Sequence, residues 1–576
     1  MAWYDEAVFY HIYPLGLTDA PKENSYGPVE HRLNTLLPWI SHIKEIGCNA
    51  LYIGPLFESV GHGYETTDYK KLDSRLGDNK DLKNFVSECH DAGIKVIFDG
   101  VFNHTGRDFF AFKDIQKNRE NSPYRDWYCN VNFGGNTEYN DGFSYENWGG
   151  YNLLVKLNQR NPAVKDHICD AIRFWVSEFD VDGIRLDAAD VLDFDFMQAL
   201  RHLANEVKPD FWLMGEVIHG DYSRWVNEGT LHSVTNYQLH KALYSGHNDH
   251  NYFEIAHTVK RLYEMGGSKP DGLKLYNFVD NHDVERIYTK LNNKAHFAPV
   301  HILMYTLPGI PSIYYGSEFA IEGRKEKWSD ASLRPALNLS DFKDAVKTNP
   351  ATELIAALGH ARQKSKALAY GDYRELMLTN RQYAFSRNFE SESAIVTVNN
   401  DDSDFTMTVG AGNSGTYVGV LSGEKVSVNN GCITVNVKAN YGELWLPEEV
   451  VSGSSDIAPV KLSAAKTPTA APGTDENPTS KPSPAVQKEA AGTNAQESPS
   501  QEASKAKAPI PITPDGASDN MTDKEKEAFE KGKIAGLQEA ILATMEKNGP
   551  LTDQMRRDIA NNVYHDSLIN WIKSFR

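Results

Sequence analysis

The sequence predicts an α/β fold in which strands and helices alternate around a parallel barrel. Three observations carry this expectation. Four apolar runs, at 98–104, 183–190, 213–219 and 278–283, each end in carboxylates, three of them with a histidine alongside. Helical patterns with apolar residues three and four apart lie between such runs, as at 166–178 and 194–207. At 576 residues the chain exceeds one ordinary domain and accommodates a barrel with one or two further modules. One strand ending in an acid is usually structural. Four, interleaved with helices, place a ring of acids at one end of a barrel, where such folds carry chemistry.

The elements follow in order. Residues 7–13 are β-rich and open the barrel, 33–46 read as the first helix, and 50–53 as the second strand. A helix at 79–92 stops at Gly93, and 94–98 forms the third strand. Residues 105–155 lack periodicity and are rich in Asn, Gly and aromatics, which marks a long functional insertion. In Gly-Ile-Arg-Leu-Asp-Ala-Ala-Asp at 183–190, alternation puts Arg185 and Asp187 on one face of a strand. Buried charges need partners, so this stretch alone fits either a site or a structural Arg–Asp pair. Alternation of helices and strands continues to Tyr315, with a last barrel helix at 351–363. From 367 to 448 short alternating strands with Gly and Asn-Asp turns predict a separate β-domain. Residues 449–518 turn to Pro, Ala, Ser, Thr and Lys without one aromatic, the composition of a disordered linker. Residues 519–576 predict a helical hairpin. One stripe runs Ile534, Leu537, Ile541, Leu542, Met545, the break is Asn548-Gly549-Pro550, and a second stripe runs Met555, Ile559, Val563. Such a tail needs a surface to cover, in self-association or in docking to another protein.

A net charge of −19 argues against nucleic-acid or anionic-membrane partners and suits an enzyme acting on a neutral substrate. The five cysteines, Cys48, Cys89, Cys129, Cys169 and Cys432, show no metal spacing and read as reduced thiols. No signal peptide and no membrane-spanning run is seen, so the expected location is the cytoplasm.

The four acid-ended runs resemble, in order, the four signature regions of the α-amylase family, glycoside hydrolase family 13. Gly47–Phe57 resembles the family's second barrel strand and 309–316 its eighth. Val155-Lys156-Leu157-Asn158 resembles the Pro-Lys-Leu-Asn box of cyclomaltodextrinase and neopullulanase relatives, with Val for Pro. The resemblance covers about residues 5 to 447. It implies a (β/α)₈ TIM barrel over 1–366 with a short inserted domain B at 105–155, and a C-terminal antiparallel β-sandwich at 367–448.

The resemblance also implies roles. Asp187 is the nucleophile, Glu216 the acid/base and Asp283 the third carboxylate. Arg185 aims the nucleophile, and His104, His282, Tyr64 and His219 contact the sugar. Asp99 and Asn103 are structural near the site, and Asn103 is a calcium ligand in many relatives. Calcium-dependent relatives often end the second region with Lys-His, whereas Asp190-Val191 stands here, and the loop at 19–27 is only weakly oxygen-rich. The metal is therefore left unknown, and no cofactor is expected to be required. Ile218 replaces the Trp of the subgroup's third region. The implied activity is retaining hydrolysis of α-1,4-glucosidic bonds in maltooligosaccharides or starch-type α-glucans. The alternatives are transglycosylation on the same scaffold, or glucan binding without catalysis, which the presence of all three carboxylates disfavours.

Overall fold

The computed structural model describes residues 2–266, 272–327 and 329–453. The expected helical tail, and the expected linker from residue 454 onward, lie outside the described residues. Eight parallel strands form the centre: β1 (Phe9–Ile12), β2 (Ala50–Ile53), β3 (Lys95–Gly100), β4 (Gly183–Leu186), β5 (Trp212–Gly215), β6 (Ser233–Val234), β7 (Tyr276–Asn277) and β8 (Ile310–Tyr314). Their order in the sheet is β6-β5-β4-β3-β2-β1-β8-β7. A parallel bridge between Thr235 and Tyr276 joins the two ends and closes the barrel.

Period-two alternation decides what fills it. Phe9, Ala50, Tyr52, Ile97, Trp212, Met214 and Tyr276 make one interior cluster, while their sequence neighbours Tyr10, Leu51, Phe98 and Leu213 pack outward under the helices. The Trp212 ring stacks on Phe9 at 5.1 Å. Burying each such ring contributes roughly 1.5–3 kcal/mol. Moving along the strands, the inward positions change from apolar to polar: Phe9 gives way to His11, Ile97 to Asp99, and Met214 to Glu216. The closed lower layer is apolar and the carboxyl end of the barrel carries the acids.

Caps hold the helices that place these strands. Asp78 accepts from Lys80 and Asp81 at the start of α1 (Asn79–Asp91), which ends before Gly93 at φ 74°. Asn161 and Pro162 start α2 (Pro162–Phe179), and Asp193 accepts from Phe196 N–H to start α3 (Phe194–Val207). The region after β3 holds a three-stranded sheet, His104–Thr105, Asn147–Trp148 and Tyr151–Lys156, with a helix at Phe110–Asn118. Tyr128, Phe143 and Tyr145 form its own core, whereas Tyr139 and Tyr151 stand exposed. The Val155-Lys156-Leu157 stretch ties this insertion to the barrel: Lys156 pairs with His104, and Leu157 N–H donates to Asn103 O.

Beyond the barrel, a six-stranded antiparallel sheet includes Gln382–Phe389, Glu392–Asn399 and Tyr441–Pro447. A two-stranded ribbon of Phe405–Gly410 and Cys432–Val437 shares an apolar core with it, built on Ile395, Met407, Ile433 and Trp445. A short helix, Glu448–Ser452, follows the last strand.

Candidate active site

Arg185 is the hub. It is 3% exposed and points inward from β4. One terminal nitrogen, Nη1, donates to Asp99 Oδ1 and Asp187 Oδ1, each at 2.9 Å, and Nη2 lies 2.9 Å from Glu216 Oε2. The three acids come from β3, from the end of β4 and from the end of β5, so closure of the barrel brings them to one guanidinium. The planar fork suits this task, and a lysine could not span it.

A second string of contacts leads from Asp99 to the third carboxylate. Asp99 Oδ2 accepts from Tyr52 OH at 2.9 Å and from Tyr64 OH at 3.0 Å. Tyr64 OH also meets His282 Nε2 at 2.5 Å, and that nitrogen lies 3.0 Å from Asp283 Oδ2. Arg334 Nη2 donates to Asp283 Oδ1 at 2.7 Å, and its Nε donates to His282 O at 3.0 Å. The His282 ring is nearly parallel to those of Tyr13 and Tyr64, with centroids 5.8 and 5.7 Å away.

Glu216 completes the group. Its Oε2 accepts from Ala188 N–H at 3.0 Å as well as from Arg185. Its Oε1 has only Tyr237 OH at 3.5 Å, and that hydroxyl accepts from Asn281 Nδ2 at 3.2 Å.

Electrostatics follow from this layout. Burial pushes the Asp187 carboxyl up, Arg185 pulls it down, and Glu216, Asp99 and Asp283 push it up again, leaving it well above the ordinary carboxylate range. Three carboxylates share one guanidinium here, so the other two raise the cost of ionising Asp187. At Asp283 burial favours the neutral acid, but His282, Arg334 and Arg185 outweigh it and hold the carboxyl well below its usual range. Burial lowers His104 to about 3, so that imidazole is neutral.

Of the residues expected from sequence, Asp99, Arg185, Asp187, Glu216, Tyr64, His282 and Asp283 form one continuous set of contacts. His104 is buried beside them, but its nitrogens are taken by protein: Nε2 by Tyr64 O at 3.1 Å and Nδ1 by Asn103 Nδ2 at 3.2 Å. It holds the backbone of Tyr64 in place. His219 is exposed, with Asp190 as its electrostatic neighbour. Sequence reasoning missed Tyr13, Tyr52, Tyr237, Asn281, Arg334 and the backbone of Ala188. Asn281 lay inside a quoted motif, two residues before Asp283, and Tyr52 lay inside another. Arg334 sits in a stretch without pattern, and nothing local marks it.

An arginine stands at the loop considered for a metal. The loop carbonyls Pro21 O and Lys22 O accept from Arg75 Nη1 at 2.9 and 3.3 Å, as does Gly61 O at 2.7 Å. The same guanidinium pairs with Asp73 at 2.8 Å, so a side-chain cation already occupies this oxygen-lined position. Asn103 Oδ1 is buried without a partner, yet no group of three His, Cys, Asp or Glu surrounds it among the described residues. Among the described residues such a group forms at His31, Asp78 and Asp81, a helix cap and its ion pair.

Comparisons with known proteins agree with this geometry. A model of the α-amylase catalytic domain matches residues 23–353. The cyclomaltodextrinase of Thermoanaerobacter pseudethanolicus is 30% identical over 420 residues, 69% of this chain and 71% of that protein. The intracellular maltogenic amylase of Bacillus subtilis is 28% identical over 342 residues, 56% of this chain and 57% of that protein. A solved cyclomaltodextrinase superposes with a TM-score of 0.67 at 25% identity, over 77% of this chain and 78% of that one. With eight parallel strands closed into a barrel, acids gathered at their carboxyl ends, and a domain match that spans more than half of its length, the chain belongs to the α-amylase family of glycoside hydrolases.

Proposed function

We propose that this enzyme hydrolyses α-1,4-glucosidic bonds in maltooligosaccharides with retention of configuration, by double displacement. The observation that carries the reading is the single Arg185 guanidinium bonded to both Asp187 and Glu216. A shared partner of that size holds two carboxylates within reach of one anomeric carbon, as a separation of about 5 Å requires. In the first step an Asp187 oxygen bonds to the anomeric carbon, the glycosidic bond breaks, and Glu216 gives its proton to the departing oxygen. In the second, water replaces Asp187 on that carbon while Glu216 takes up a proton from the water. Asp283, kept ionised by His282 and Arg334, binds sugar hydroxyls and favours the positively charged ring of the transition state. Tyr64, on the His282 stack, offers an aromatic face to the sugar.

The substrate class rests on the relatives, which are named for cyclomaltodextrin and maltogenic activities. Transfer to sugar acceptors is the alternative on the same scaffold, and product analysis at high substrate concentration separates it from hydrolysis. This reading requires no cofactor. The expected location is the cytoplasm, which the free thiols support. Among the described residues no helix is long and apolar enough to cross a membrane. Maltoheptaose, pullulan and β-cyclodextrin, each incubated with the enzyme and resolved by chromatography, test the reading. Glucose and maltose from maltoheptaose support it, and no cleavage of any of the three refutes it.

A further inference from the structure

We propose that Ala188 is a positioning residue for the acid/base carboxyl: its left-handed backbone aims one amide N–H at Glu216 Oε2 and so decides which oxygen of Glu216 carries the proton. This rests on the reading of Glu216 as the acid/base. Ala188 follows the nucleophile directly and has φ 45° and ψ 44°, a region that residues with a Cβ seldom occupy. Such a conformation persists only where its surroundings impose it, and it clusters at functional sites.

The surroundings are visible. Asp187 N–H donates to Gly100 O at 3.0 Å, which keeps the chain in the sheet up to the nucleophile. A short 3-10 helix, Ala189–Val191, starts immediately afterwards, so the whole change of direction falls on Ala188. Ala189 is buried against β5: a Cβ placed on Gly215 would lie 2.8 Å from the Ala189 Cβ. That packing presses the turn onto the residue preceding Glu216. The result is a 3.0 Å bond from Ala188 N–H to Oε2.

The same oxygen also meets Arg185 Nη2 at 2.9 Å. Two donors use the lone pairs of Oε2, which leaves Oε1 as the atom that bears the proton. Oε1 has only the distant Tyr237 hydroxyl. The charged and titratable groups facing Glu216 are Arg185, Asp187 and Asp190 from β4 and its turn, and Tyr237 from the helix after β6. Asp283 faces both Asp187 and Tyr237. The donors within hydrogen-bond distance of Oε2 are Arg185 and the Ala188 backbone.

The test compares Ala188→Val, Ala188→Asn and Glu216→Gln on aryl α-maltosides of graded leaving-group acidity, with a pH–rate profile and a thermal melt for each. Valine resists the left-handed region, whereas asparagine, of similar size, tolerates it. Ala188→Val is expected to lose about tenfold or more on the poorest leaving group, in line with one misplaced hydrogen bond. It should lose far less on the best leaving group and should shift the alkaline limb of the profile. Ala188→Asn is expected to keep both. Glu216→Gln marks complete loss of acid catalysis, roughly 10²–10⁴-fold on poor leaving groups. An unshifted Ala188→Val profile beside a steep Glu216→Gln response overturns the role of Ala188 alone. Equal losses in the valine and asparagine variants overturn it as well, because bulk and not backbone conformation would then be the cause. A Glu216→Gln enzyme indifferent to leaving group overturns the acid/base reading itself. If Ala188→Val is unfolded at the assay temperature, Ala188→Thr, also β-branched, replaces it with the same outcomes.

Discussion

Replacing Arg185 by lysine isolates the geometric role of the guanidinium, because the positive charge stays. Arg185 makes three charge-assisted contacts at 2.9 Å, to Asp99, Asp187 and Glu216. An ammonium on a flexible stem reaches one of these acids and abandons the other two. Each lost bond to a charged group is worth roughly 1.5–3 kcal/mol, so the pair amounts to about 3–6 kcal/mol. At about 1.36 kcal/mol per factor of ten, that is two to four orders of magnitude if the loss falls on the transition state. The part that falls on the ground state appears as a lower melting temperature, since Asp99 is left buried without its cation. The assay is kcat/KM on maltotriose and on an aryl α-maltoside, with a thermal melt of the same preparation. Arg185→Lys is expected to lose at least a hundredfold in kcat/KM while remaining folded at 25 °C. Activity within tenfold of the parent enzyme would refute the reasoning that one planar group must hold all three acids.

Asp187→Asn is expected to leave only trace turnover with an intact fold, because an amide forms no glycosyl ester, and proton NMR of fresh product from the parent enzyme is expected to show the α-anomer first. Glu443, buried in the C-terminal sheet, is raised by burial to about 7 against the backbone N–H bonds from Leu421, Ser422 and Leu444. A raised folded-state value stabilises the protein below about pH 4.5, and this contribution is lost as pH rises through about 7, on the order of 3 kcal/mol. Glu443→Gln should flatten that slope in urea melts between pH 4.5 and 7, and an unchanged slope would count against it. Removing residues 454–576 is expected to leave kcat on short maltooligosaccharides nearly unchanged while altering mass per particle in light scattering. A large loss of rate would tie the tail to the site.

The acids of the site were legible because each lies in a short contiguous stretch with a physical signature. An inward charge at Arg185 and Asp187, two residues apart on a strand, is costly without partners, and the same signature ends β3 and β5 and follows β7. The β-domain after the barrel was legible for a similar reason, since alternation over four to eight residues is a local property. The insertion after β3 was visible only as a loss of pattern. Its core of Tyr128, Phe143 and Tyr145 draws on residues too scattered for any window to show periodicity.

Local pattern by itself determined that this chain builds a barrel with a ring of acids, because strand period, helix period and helix caps are fixed within a few residues. Partnership needed the closed structure. Arg334 reaches Asp283 across 51 positions, Tyr64 reaches His282 across 218, and Tyr10 reaches Glu318 across 308. Such pairs leave no local trace, since any exposed-looking arginine or tyrosine serves until the barrel closes and removes water from around it. The same holds for His104, whose ring nitrogens meet Asn103 Nδ2 and Tyr64 O. At Ala188 local preference even points the wrong way. Alanine is a helix former with no liking for positive φ, and only the pressure of Ala189 on Gly215, set by the packing of β4 against β5, turns its N–H toward Glu216.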